Sequence, residues 1–262
     1  MPGKSGFQEL ETYLAERSDL PGPRANLELA EAFASAIGSM GKGRPAQAWD
    51  ACSRLAGLSL ERAGQNTPGE FVAFCGVRGE GALGTASDEF LEKAMEALKV
   101  RAGDGRWRLR ESVATSIQRL LLASPGEVLR ELDGWIQAGR WLEMRAVAAG
   151  VAEPALMKDA RLADSAIKLH KKVLDVVLRS DARRSAEFEA LRQTLGYSLS
   201  VVAVATPAES FELMKDLVKS GDGDALWMVR ENLKKDRLRR GFPKEAAMLG
   251  GLVERAFAKR RT

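Results

Sequence analysis

The sequence predicts an all-α fold in which helices come in pairs and the pairs stack as a right-handed solenoid. Three observations carry this. Most of the chain places apolar residues three and four positions apart, in stretches rich in Ala, Leu, Glu and Lys. Prolines 23, 45, 68, 125, 154, 207 and 243 punctuate these stretches, as helix starts and interruptions do. One unusual phrase is written twice: GDGRWRLRE at 103–111 and GDGDALWMVRE at 221–231 each run from Gly-Asp-Gly to Trp-x-x-Arg-Glu.

In chain order, helices are expected near 6–17, 25–38, 45–57, 68–83 and 87–101. Asn26 before LELAEAF and Ser87 before DEFLEKA have the side-chain oxygen that caps a first turn. The fourth stretch includes GVRGEGALG (76–84), which is rich in glycine for a helix. It lacks both a preceding strand and the Gly-x-Gly-x-x-Gly order, so no dinucleotide site is read from it. Helical periodicity continues through ESVATSIQRLLL (111–122), and Ser124-Pro125 starts the next helix at GEVLREL. SAIKLHKKVLDVVL and ESFELMKDLV (209–218) follow the same period. SLSVVAVAT (198–206) is the one β-branched run, and its flanks favour a buried helix over a strand.

The repeat emerges from the arginines. Arg110, Arg145, Arg192 and Arg230 each lead into an apolar helical stretch, and they stand 35, 47 and 38 residues apart. Periods of about 40 residues mark helical-pair repeats, in which each pair hides its apolar face only against its neighbours. Asp104 precedes Arg110 by six residues, as Asp224 precedes Arg230. That spacing resembles HEAT repeats, where an acid in the turn and an arginine on the second helix form a ladder between layers. Asp104, Arg110, Arg192, Asp224, Trp227 and Arg230 are therefore expected to be structural, with Trp107 and Trp227 packed under the turns. Residues 1–101 form the cap and first repeats, and residues 102–262 continue them.

Bulk properties narrow the function. No apolar run approaches the length of a membrane span, and the amino terminus lacks an apolar signal core. Cys52 and Cys75, the only cysteines, sit in apolar helical context and read as buried thiols of a cytoplasmic protein. The single histidine, His170, borders an apolar helix face. No motif partners it for a zinc site, a Ser-His-Asp triad or a Cys-His pair. No metal or cofactor is expected. Net charge is +4, yet residues 227–262 hold eleven Lys/Arg against four Asp/Glu, a bias that suits a polyanionic partner and equally a solvated helix end, where positive charge is favoured.

Trp107-x-x-Arg110-Glu111, RWLEMRAVAAG (140–150), TLGYSLS (194–200) and WMVRENLKKDRL (227–238) together resemble the HEAT-like DNA alkylation repair proteins, a family of alkylpurine DNA glycosylases. The resemblance implies a concave basic groove for duplex DNA and metal-independent release of a damaged base. Glu111 would then be the catalytic carboxylate. Trp107, Arg106, Arg108, Arg140, Arg145, Tyr197, Lys234, Lys235 and Arg237, with Arg239 and Arg240 beyond them, would face the nucleic acid. Glu111 stands where the family carries aspartate, and Tyr197 where it carries tryptophan. One extra methylene displaces the carboxylate by about an ångström, enough to cost roughly a hundredfold in rate. The reading adopted is accordingly a non-enzymatic HEAT-like scaffold with a protein or duplex DNA on its concave face. DNA binding or glycosylase activity is the alternative, and the oligomeric state is left open.

Overall fold

The computed structural model describes residues 4–260. Among these the chain is all-α: fourteen α-helices, one short 3-10 turn and no strand. The helices are α1 (Lys4–Glu16), α2 (Leu27–Gly41), α3 (Pro45–Ala56), α4 (Pro68–Leu83), α5 (Asp88–Ala102), α6 (Trp107–Ala123), α7 (Pro125–Gln137), α8 (Trp141–Val151), α9 (Ala160–Arg179), α10 (Ala186–Val202), α11 (Pro207–Lys219), α12 (Gly223–Leu233), α13 (Asp236–Gly241) and α14 (Pro243–Lys259). The run at 198–206 is no strand: its first part completes α10, a turn follows, and Thr206 stands just before α11.

Local chemistry explains most of the starts. Asn26, Thr67, Ser87, Asp159, Ser185 and Asp222 each accept a hydrogen bond from a backbone N–H in the turn that follows. Such a cap is typically worth about 1 kcal/mol. Pro45, Pro68, Pro125, Pro207 and Pro243 occupy first helical positions, where no donor is missed. These signals, rather than the four arginines, fix the boundaries. Arg110, Arg145, Arg192 and Arg230 lie inside α6, α8, α10 and α12, so they do not lead their helices as expected.

Two compact units divide the chain between Glu131 and Leu132, inside α7. In the first unit α4 is the core. It packs against α1, α2, α3, α5 and α6, and nearly all of its residues are buried. Its glycines make this possible. A Cβ on Gly76 would lie 2.3 Å from the backbone nitrogen of Ala56, and one on Gly81 would lie 2.4 Å from the Cβ of Ser116. The glycine-rich stretch is therefore a crossing point for helices rather than a ligand loop. Phe71, Phe74, Val77 and Leu83 of α4 are buried with Leu55, Leu98, Ile117 and Leu120, and each such side chain contributes about 1.5–3 kcal/mol.

In the second unit α8 packs on α10, α10 on α12 and α12 on α14. Met144, Val147, Leu195, Leu199, Leu226, Val229 and Leu249 are buried there. α9 lies against α8 and α10, and α11 against α12 and α14.

Candidate functional site

The two copies of the repeated phrase become two polar assemblies, one in each unit. In the first, Asp104 sits in the α5–α6 turn and accepts from Arg106 three times: from its backbone N–H at 2.8 Å, from Nε at 2.9 Å and from Nη2 at 2.6 Å. The other guanidinium nitrogen of Arg106 donates to the carbonyls of Leu58 and Ala63. Burial pushes the Asp104 carboxyl up, but the Arg106 hydrogen bonds outweigh it and hold the group below the usual carboxylate range. Arg110, expected to serve acids and orphan carbonyls at a helix junction, meets carbonyls of the same turn. It donates to the carbonyls of Asp104 and Gly105 at 2.7 and 3.0 Å.

Arg108 points inward. It donates to the buried Glu70 carboxylate at 3.0 Å, to the Gly22 carbonyl at 3.0 Å and to Asn66 Oδ1 at 3.3 Å, so one guanidinium ties α6 to the Gly22 loop and to the 66–70 stretch. Arg106 is only 4% exposed and Arg108 5%, which corrects their placement on a phosphate-facing surface. Trp107, expected beneath the turn, is instead 46% exposed. Its ring lies over the Arg108 guanidinium at 4.6 Å, a cation–π contact that fixes an exposed indole on a buried, clamped cation.

The second assembly repeats this device with different partners. Arg192 of α10 lies 3.8 Å from the Trp227 ring of α12, 2.8 Å from Asp224 and 3.2 Å from Glu189. The acid therefore bonds across helices to Arg192, while Arg230 lies against Phe257 and 3.9 Å from Glu231. Trp227 fits because residue 196 is glycine, whose Cβ would otherwise reach within 2.9 Å of the indole. Asn232 accepts from the Ser200 N–H and donates to the Leu195 carbonyl, tying α10 to α12 again. Tyr197, next to that glycine, is 36% exposed.

The remaining expected cations divide. Arg145 is 7% exposed. Arg140 is exposed but pairs with the buried Glu143 at 2.6 Å. Lys234 pairs with Glu231 at 2.5 Å, and Arg239 and Arg240 both pair with Asp236 at 3.2 Å. Arg237 is exposed and Lys235 half-buried. Glu111 is half-buried on α6 in the first unit, whereas Arg145 and Tyr197 belong to the second.

Sequence reading missed Glu70, Glu80 and Glu143, all buried, and Arg183, which pairs with Asp222 at 2.8 Å. A signal for Glu70 was present. Thr67-Pro-Gly-Glu70 has the Thr-x-x-Glu spacing of a capping box; Thr67 caps the Glu70 N–H, and Glu70 reaches back to the Asn66 N–H at 2.8 Å. Cys52 and Cys75 are buried free thiols, and burial pushes both up in pKa, away from reactivity. Among the described residues no His/Cys/Asp/Glu cluster has metal-binding form, and no helix is long and apolar enough to cross a membrane. The chain matches no family model, no curated protein and no solved structure.

Proposed function

We propose that the chain is a HEAT-like helical-repeat scaffold, a right-handed α-solenoid whose inner helices offer a surface to a macromolecular partner, and that it acts by binding rather than catalysis. One observation supports this above the others: successive layers α10 and α12 are joined by Arg192, which holds Asp224 and the Trp227 ring together over Gly196. Repeat modules need such inter-layer ties, because each layer is stable only against its neighbours. Beside that tie Tyr197 is exposed on α10, an aromatic of the kind that anchors interfaces.

The experiment is site-directed photo-crosslinking in cells of origin, with a photoreactive residue at Tyr197 and a control at the exposed Glu212 of α11. The expected result is one saturable adduct from position 197, competed by unlabelled protein. Equal labelling from both positions would overturn the reading.

DNA binding of the alkylation-repair type is the second reading, favoured by the exposed cations of α13 and its flanks. A duplex titration separates the two: affinity that falls steeply with salt supports DNA, and affinity equal to that of a neutral control protein rejects it. Release of a methylated base, lost in Glu111→Gln, would move the reading to an enzyme.

A further inference from the structure

In the first unit α4 packs against both α2 and α6, and one ion cluster joins all three. Glu31 of α2 accepts from Arg78 of α4 at one carboxylate oxygen and from Arg119 of α6 at the other. Among the described residues neither arginine has a second acid within ion-pair distance. The side chain of Arg78 is 11% exposed, that of Arg119 31% and that of Glu31 48%. The acid is therefore the outermost member, with the cations beneath it. Arg78 is fixed from below, its guanidinium 5.6 Å from the ring centre of the buried Phe74, one turn back on α4. Glu31 stands on the exposed side of α2 and has open water to turn into.

Two positive charges face one negative charge, so the cluster keeps a positive surplus. Each guanidinium spends one nitrogen on a single Glu31 oxygen, although an arginine can offer a pair of parallel N–H groups to one anion. Burial pushes the Glu31 carboxyl up, but hydrogen bonds and charge from Arg78 and Arg119 outweigh it and hold the group below the usual range. The place thus already favours an ionised oxyanion, and a carboxylate only half uses it. A phosphate monoester brings three terminal oxygens and close to two charges at neutral pH. The pair is also isolated. α2 carries no Lys or Arg, α4 carries only Arg78, and Arg108 and Arg110 of α6 are taken by Glu70 and by turn carbonyls. A nucleic-acid backbone draws its affinity from many cations along a path, whereas two converging guanidiniums match one doubly charged group.

We propose that Arg78 and Arg119 form a receptor for a single phosphate monoester, and that Glu31 fills it as a built-in stand-in until that group displaces it. Displacement leaves the arginine stems where α4 and α6 hold them, and the Glu31 carboxylate moves into water. While Glu31 is seated the receptor is closed, so the apparent affinity for an outside group is reduced by the fraction of time the carboxylate is away.

The test is calorimetric titration of the full chain with N-acetylphosphoserine at pH 7.5 and constant ionic strength. Glu31→Gln removes the competing charge at an exposed position and is expected to bind about tenfold more tightly than wild type. Adding Arg119→Met to that variant should weaken binding about tenfold or more, and Arg119→Met alone should weaken it in the wild-type background. Diethyl phosphate, with one charge and two blocked oxygens, should bind at least about tenfold less tightly than the monoester. A phosphoserine peptide that binds more tightly than N-acetylphosphoserine upholds the receptor and assigns its ligand to a protein; equal affinity upholds it and assigns the ligand to a free monoester. Glu31→Gln binding no more tightly than wild type, or binding indifferent to Arg119→Met, overturns the proposal. Equal affinity for the diester overturns it too and turns the site toward nucleic acid.

Discussion

Acidification should destabilise the second unit through one residue, His170. Its ring is completely buried on α9, with Nδ1 2.8 Å from the Ala166 carbonyl and Nε2 2.8 Å from the Ser198 hydroxyl of α10. A carbonyl only accepts, so Nδ1 carries the proton and Nε2 accepts from Ser198. Adding a second proton places a charge in the core with no carboxylate beside it. Burial, partly offset by the Ala166 hydrogen bond, lowers the pKa from 6.5 to about 4. The folded value is depressed, so the unfolded chain binds the proton first as pH falls. Stability is therefore full above pH 6.5, declines between 6.5 and about 4, and is lost below. A difference of that size corresponds to about 3 kcal/mol, at about 1.4 kcal/mol per pH unit. Urea midpoints measured from pH 7.5 to 4.5 in wild type and His170→Gln isolate this contribution, since carboxylates common to both cancel. His170 is the only histidine in the chain, so its ring carbon resonance reports the same titration directly. Parallel stability curves for the two proteins, or a ring titrating near 6.5, would refute the reasoning.

Two further substitutions probe packing and buried charge. Gly76→Ala would place a methyl against the Ala56 backbone, which yields less than a side chain would; overpacking of about 2–3 kcal/mol against a helix-propensity gain of about 1 leaves a net loss of about 1–2 kcal/mol in denaturant unfolding. Arg108→Met strands Glu70, which is fully buried, and is expected to cost about 3–5 kcal/mol. Adding Glu70→Gln should restore part of that loss, and a double variant no more stable than Arg108→Met would contradict the pairing.

The all-α class was legible because its signals are local. Caps at Asn26 and Ser87 and first-turn prolines act within one turn, and the structure uses them as read. Side-chain direction was not legible. In RWRLR, successive helical positions turn by about 100°, so of three arginines in five residues the sequence alone does not say which faces the core. The answer depends on Glu70, 38 residues upstream of Arg108, and on the loop carbonyls of Leu58 and Ala63 that receive Arg106. For the second phrase the spacing pointed to a tie between layers, and Asp224 does take a cation from another helix, but which arginine supplies it, Arg192 of α10, was not legible.

The packing around α4 has a consequence for how each half comes apart. α1, α2, α3, α5 and α6 all lean on that one rod, so removing any of them uncovers the same shared surface, and the first unit should melt as a block. Along α8, α10, α12 and α14 contact passes from one layer to the next, and a chain linked in this way can shed its last member while the others hold. One molecule thus joins an all-or-none half to a half that can fray from its end.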